Sequence, residues 1–153
     1  MTKRIAIGCD SAATGLRDVI RETLARAGYD LLDFGVESPG DDTYYPYVAK
    51  RVAEYVQEDP DNNRGVLLCG TGIGMAIVAN KFKGVRAAVG HDCFSETRSR
   101  LSNDCNILCF GSRVIGPELA GMLVRDWVSL GPVQSSSMPK VAVIHAIEQE
   151  NFR

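Results

Sequence analysis

The sequence predicts an α/β fold: one domain over residues 1–153, a doubly wound (Rossmann-like) five-stranded parallel sheet with helices on both faces. Three observations carry this expectation. Short apolar runs rich in β-branched residues alternate about five times with longer segments at helical spacing, joined by short connections. The central run, Gly65–Cys69 (GVLLC), is apolar without alternation, as in a strand covered on both faces. The chain has 153 residues and is 45% hydrophobic, enough to bury a full core without disulfides or structural metal. In such folds ligands bind beyond the carboxyl ends of the strands, where the strand order reverses. The segments to inspect are therefore Cys9–Thr14, Cys69–Gly74, Gly90–Cys93 and Gly111–Arg113.

The elements follow in order. Arg4–Cys9 (RIAIGC) reads as the first strand. Leu16, Val19, Ile20, Leu24 and Ala27 recur at helical spacing, so Leu16–Ala27 is a helix, with Gly28 as its stop. Leu31–Phe34 is the second strand, and after a polar Pro/Gly/Asp loop Pro46–Val56 forms a helix with proline in its first turn. The third strand, Gly65–Cys69, runs through glycines into a helix over Met75–Phe82. Val85–Val89, a helix over Phe94–Leu101, Ile107–Phe110 and a helix over Pro117–Val128 continue the alternation. The serine run Ser135–Ser137 is a loop before a last helix, Pro139–Glu150.

The formal charge of -2, from 17 basic and 19 acidic residues, gives no reason to expect a nucleic-acid or membrane-surface binder. The apolar run near the N-terminus is too short for a signal peptide or a membrane span. Five cysteines stand at 9, 69, 93, 105 and 109; the number is odd and no Cys-x-x-Cys occurs. That argues against a disulfide framework or zinc ribbon and for a reducing, cytoplasmic compartment. His91-Asp92-Cys93 suggests a metal ligand pair, but with two histidines in the chain no third ligand stands at a recognisable spacing, so no metal is expected.

The segment Cys69-Gly-Thr-Gly-Ile-Gly-Met75 carries the most chemistry. Glycines at 70, 72 and 74 between a strand and a helix let successive backbone N–H groups converge, making either an anion or oxyanion nest or a tight structural turn. The dinucleotide pattern fails because position 75 is Met75, and no Gly-Lys-Ser/Thr completes a Walker motif. Cys69 sits against this nest, where a helix N-terminus favours the thiolate and burial favours the thiol. Cys9, Cys93, Cys105 and Cys109 read as packing residues.

These residues resemble the type B ribose-5-phosphate isomerases and the related galactose-6-phosphate isomerase subunits. The resemblance runs from Gly8-Cys9-Asp10 through the glycine segment, Ala79-Asn80-Lys81, Gly84-Val85-Arg86-Ala87-Ala88, Ser102-Asn103-Asp104 and Gly111-Ser112-Arg113-Val114-Ile115-Gly116 to Ala146-Ile147-Glu148. It implies an aldose–ketose isomerase that moves a proton between C1 and C2 through a cis-enediolate, without metal or other cofactor. Ribose 5-phosphate and ribulose 5-phosphate are the implied substrates. Cys69 matches the catalytic base, and Thr71 with the amides of Gly70, Gly72 and Gly74 matches the site that holds the enediolate oxygens. Asp10 and Asn103 match contacts to substrate hydroxyls, and Tyr45 a residue lining the site. Arg113 matches a phosphate ligand. Family members are dimers or tetramers with each site shared between two subunits, so a homodimer or homotetramer is implied, with 138–153 packing on a partner subunit.

The chain departs from the family at informative places. Asp10-Ser11-Ala12 replaces Asp-His-Ala, and Ser102 replaces the histidine assigned to opening the furanose ring. Ser136 and Lys140 stand where two arginines normally bind phosphate, leaving Lys140 as a point charge. His91 is an additional histidine that either contacts substrate or caps its loop. A tetrose 4-phosphate cannot close a five-membered ring, because its O4 carries the phosphate. The paired Ser11 and Ser102 therefore make an isomerase of erythrulose 4-phosphate and erythrose 4-phosphate a rival to the pentose enzyme. A non-enzymatic sugar-phosphate-binding α/β domain is the alternative of another class, but it leaves Cys69 and its nest without a purpose.

Overall fold

The computed structural model describes residues 4–152. Its elements are β1 (Arg4–Cys9), α1 (Thr14–Arg26), β2 (Asp30–Asp33), α2 (Tyr45–Glu58), β3 (Arg64–Cys69), α3 (Ile73–Ala79), β4 (Ala87–Val89), α4 (Cys93–Asn103), β5 (Ile107–Gly111), α5 (Pro117–Ser129) and α6 (Met138–Asn151). The strands form one parallel sheet in the order β2-β1-β3-β5-β4. On its flanks α1 packs beside α5 and α5 beside α4, while α2 packs beside α3; α6 lies on α4. The fold class read from the sequence is the one observed. Strand order is not carried by local periodicity, and here it decides where the site lies.

From β1 the chain goes outward to β2 and then returns to place β3 on the other side of β1. A second reversal sends β4 to the edge and brings β5 back between it and β3. The carboxyl end of β3 is thus flanked by those of β1 and β5, with Cys9 opposite Leu68 and Cys69 opposite Gly111. The sheet core is dry: Ile7, Val66, Leu67, Leu68, Ile107, Leu108 and Phe110 are fully buried. Gly8 lets α2 approach β1, since a methyl group there would stand 2.8 Å from Val48 Cγ1.

The two boundaries between α3 and β4 differ from expectation for a common reason. The helix expected to reach Phe82 ends at Ala79, and the strand expected from Val85 starts at Ala87. Asn80 turns its amide onto the strand instead, donating from Nδ2 to Ala87 O at 2.9 Å and accepting from Ala87 N–H at Oδ1 (2.8 Å). Arg86 N–H is taken up by Asn106 Oδ1 at 2.8 Å. Side-chain amides there satisfy backbone groups that a longer helix or strand would have paired. No helix among the described residues is long and apolar enough to cross a membrane.

Candidate active site

Cys69 ends β3, buried, with its sulfur turned toward the chain that follows. Gly72 N–H donates to Cys69 Sγ at 3.1 Å. Gly72 itself sits at φ 78°, the left-handed region that glycine enters without steric cost, and caps α3. The first N–H groups of α3 have no carbonyl one turn back, so Gly74 and Met75 present free donors at the same rim. Thr71 lies exposed between them, its Oγ1 accepting from Ile73 N–H at 3.3 Å.

The neighbouring strands hold this loop from both sides. Ser112 N–H donates to Cys69 O at 2.8 Å and Arg113 N–H to Gly70 O at 3.1 Å. The Arg113 guanidinium lies over Gly70, where a methyl group would stand 3.4 Å from its Nη1. On the β1 side, Asp10 N–H donates to Leu68 O at 3.1 Å, and Asp10 Oδ1 accepts from Ala12 N–H at 3.0 Å. Ser112 Oγ donates to Ala12 O at 2.7 Å, tying the β1 and β5 loops together across the end of β3. Tyr45, in the first turn of α2, lies against Gly74, whose Cβ would meet its ring at 2.5 Å. A cavity of about 300 Å³ opens beside it, lined by Asp10, Ser11, Asp42, Thr43, Tyr44, Tyr45 and Pro46. Larger grooves of about 580 and 560 Å³ lie between α1 and α5 and beside α6. None of the three is lined by Cys69 or the glycine loop, and the smallest is the one that shares Asp10 and Tyr45 with its surroundings.

One chain therefore brings together Cys69, Gly70, Thr71, Gly72, Gly74, Asp10, Ser11, Tyr45 and Arg113. It does not bring Ser102, Asn103, Ser136 or Lys140 to them. α4 starts near the β4 strand end and runs back along the sheet, so Ser102, nine residues past Cys93, is about 14 Å along the helix axis at 1.5 Å per residue. Its Oγ accepts from Arg98 Nε at 2.7 Å, and Arg98 Nη2 donates to Gln134 Oε1 at 3.0 Å. Gln134 N–H donates to Leu101 O, which keeps the segment carrying Ser136 and Lys140 beside the end of α4. His91 Nε2 accepts from Gly111 N–H at 2.8 Å, which makes the loop-capping geometry the observed one.

The other thiols sit in different surroundings. Burial pushes Cys9 and Cys105 up to about 11 and pushes Cys109 further, so these remain thiols at neutral pH. Cys93 is exposed at the start of α4, which corrects its assignment as a packing residue; a helix N-terminus places it outward. Among the described residues no group of three or more His, Cys, Asp or Glu side chains converges as a metal site would require. Two contributors were not singled out in the sequence. Ser112 stands in a segment marked for its place after a strand, so its position was the available signal. Arg98 is one charge among several on a helix and carries no such mark.

Residues 5–144 match the ribose/galactose isomerase family. The chain is 43% identical over 146 residues to the D-erythrulose-4-phosphate isomerase of Pectobacterium atrosepticum, covering 95% of each. It is 41% identical over 148 residues to the ribose-5-P isomerase B of Listeria innocua, covering 97% of this chain and 99% of that one. Its fold superposes with a TM-score of 0.88 on the ribose-5-phosphate isomerase B of Clostridium thermocellum, at 36% identity and covering 96% and 98% of the two chains. A similar likeness, TM-score 0.91 at 28% identity and 97% of both chains, relates it to the ribose-5-phosphate isomerase B of Mycoplasma genitalium, solved with bound ribulose-5-phosphate. The extent of these matches, over nearly the whole chain and through the glycine loop at Cys69, makes the chain a member of the ribose/galactose isomerase family of sugar-phosphate aldose–ketose isomerases.

Proposed function

We propose that this isomerase interconverts erythrulose 4-phosphate and erythrose 4-phosphate, with Cys69 as the proton-transfer base. In the ketose-to-aldose direction the Cys69 thiolate takes a proton from C1. The electron pair moves into a C1–C2 double bond, and the carbonyl at C2 becomes an enediolate oxygen. Protonation at C2 by the Cys69 thiol, with transfer of the O1 proton to O2, gives the aldose and regenerates the thiolate. The Gly72 N–H bond to Sγ fixes the sulfur at the head of the loop. The free N–H groups at the start of α3, with Thr71, face the charge that develops on the enediolate. Donors of this kind stabilise the transition state more than the ground state, and losing one typically costs about 2.7–4 kcal/mol. Asp10, Ser11 and Tyr45 bound the adjacent cavity, and Arg113 supplies a guanidinium for the phosphate.

The observation that carries the four-carbon substrate is that, within one chain, neither histidine stands free beside Cys69 to open a sugar ring. The chain has two histidines. His91 Nε2 is bonded to Gly111 N–H, and His145 lies on α6, 4.0 Å from Asp104. Ser102 takes the Arg98 guanidinium. A tetrose 4-phosphate needs no such group, since its O4 is esterified. Overall similarity does not choose between substrates, being 43% to a tetrulose-phosphate isomerase and 41% to a pentose-phosphate one. The second reading, ribose 5-phosphate to ribulose 5-phosphate, is supported by the ribulose-5-phosphate-bound relative.

The enzyme acts as a cytoplasmic homodimer or homotetramer with no cofactor, its sites shared between subunits. The distance between the Cys69 loop and the group Ser102, Asn103, Ser136 and Lys140 supports this, because a second copy is needed to bring the two together. Exposed Ile73 and Ile77 on α3, Phe94 on α4 and Val143 and Ile147 on α6 offer the apolar surface for such an interface, with 138–153 packing on the partner. Side-by-side kinetics test the substrate: kcat/KM is expected to be higher on erythrulose 4-phosphate than on ribose 5-phosphate. The reverse order would return the enzyme to the pentose reading.

A further inference from the structure

The geometry points to His91 as a positioning residue of the proton-transfer site, acting through Gly111 rather than on the sugar; this rests on the isomerase reading above. β4 pairs with β5 through Ala87, Ala88 and Val89, and Gly90 N–H adds a last long bond to Cys109 O at 3.4 Å. β4 ends there, while β5 continues to Gly111. The acceptor for Gly111 N–H is then a side chain, His91 Nε2 at 2.8 Å. The imidazole takes the place a strand carbonyl would occupy one step further along the ladder. Its ring is steadied by stacking on Phe110, with centroids 6.1 Å apart and planes at 28°.

What this bond holds is the underside of the Cys69 loop. Gly111 stands opposite Cys69 in the sheet register, and its Cα is packed on Thr71, where an added methyl group would come within 2.5 Å of Thr71 Cα. Phe110 backbone lies under Gly72, at 3.0 Å from a Cβ placed there. Ser112 and Arg113, the next two residues, donate to the carbonyls of Cys69 and Gly70. The turn that His91 fixes therefore meets the base, the enediolate-facing residues and the phosphate ligand. A displacement there moves Sγ and the N–H donors relative to the substrate without removing a binding group.

An imidazole acceptor differs from a carbonyl in that it titrates. A nitrogen that accepts carries no proton, so the bonded form is neutral, with its proton on Nδ1. Burial holds His91 below the ordinary histidine range, and the Asp92 carboxylate beside it opposes that shift. From β5 the ring meets Phe110 and the Gly111 backbone, neither of them charged. Asp92 itself is committed to Ser95 N–H as the N-cap of α4. As pH falls through the His91 transition, Nε2 becomes a donor facing another donor, and the bond to Gly111 is lost.

Two variants and one amide test this. His91→Leu removes the acceptor at similar bulk, and His91→Gln supplies an amide oxygen in its place. His91→Leu is expected to lower kcat by roughly tenfold or more, since small misplacements of reacting groups are costly, with KM little changed. His91→Gln should recover most of kcat and lack the acidic fall of kcat expected of the natural enzyme. Hydrogen exchange at the Gly111 amide should be slow in the natural protein and in His91→Gln, and fast in His91→Leu. A rise in KM with kcat intact in both variants would overturn the proposal in favour of direct substrate contact. Unchanged kcat, or Gly111 exchange indifferent to His91, would also overturn it. If the natural protein turns over no sugar phosphate while Gly111 protection still depends on His91, the isomerase reading fails; the structural bond stands, and its catalytic role falls with that reading.

Discussion

Gly111 is packed on Thr71 so closely that a methyl group at its Cα would stand 2.5 Å from Thr71 Cα and 2.6 Å from Thr71 C. Both obstacles are backbone, so neither can be relieved by a rotamer change. Overpacking of this sort costs about 1–3 kcal/mol and sets the lower end here. Gly111→Ala is expected to lower the melting temperature by about 2–4 °C per kcal/mol for a chain of this size. It should lower kcat as well, because the residues pushed are those beside Cys69. Calorimetry with a steady-state assay checks both, and an unchanged melting temperature with full activity would contradict the close packing.

Arg113 lies over Gly70 with its side chain exposed and its backbone N–H already bonded to Gly70 O. Its guanidinium is therefore available to a ligand while its main chain holds the loop. Charge-assisted hydrogen bonds are worth about 1.5–3 kcal/mol, so Arg113→Ala should raise KM for a sugar phosphate by roughly 10- to 150-fold. Arg113→Lys should recover part of this, since an ammonium keeps the charge and loses the bidentate fork. A KM indifferent to Arg113 would point to an unphosphorylated substrate.

Glu96 on α4 is 1% exposed and its Oε1 has no hydrogen-bond partner, while Oε2 accepts from Thr97 Oγ1 at 2.9 Å. Burial pushes its carboxyl above the ordinary range, with the nearby Asp126 adding to the shift. The folded state therefore holds this proton at pH values where the unfolded chain has released it. The stabilisation is present below the unfolded carboxylate range near 4.3 and is lost as pH rises through the folded value. Glu96→Gln should remove that loss, making the variant at least as stable as the natural protein at neutral pH. Urea unfolding at pH 4 and pH 7.5 checks it; a variant less stable by the same margin at both values would contradict the assignment.

The alternation of short apolar runs and helical segments was enough to place every strand and helix within a few residues, because both faces of the sheet are covered and each period is clean. The same periodicity is silent on strand order, which places β5 beside β3 and so brings Gly111, Ser112 and Arg113 to Cys69. Cys69 and its glycines were legible because a strand running through Gly-x-Gly-x-Gly into a helix has few structural uses. The link between Arg98 and Ser102 was not, since a long flexible side chain chooses its partner only after packing is complete. His91 stands between two readings in the sequence, and the bond from Gly111 N–H shows the loop-capping geometry, which depends on strand order.

The claim that Cys69 moves the proton is tested most directly by following solvent exchange. The natural enzyme is incubated with erythrulose 4-phosphate in D2O beside Cys69→Ala, with ligand binding measured in parallel. Interconversion in the natural enzyme should be accompanied by deuterium at C2 of the product aldose. Cys69→Ala should lose about 10²–10⁴-fold or more of turnover, the range a positioned acid–base group supplies, while still binding the sugar phosphate. Turnover in Cys69→Ala within a few-fold of the natural enzyme would contradict the account.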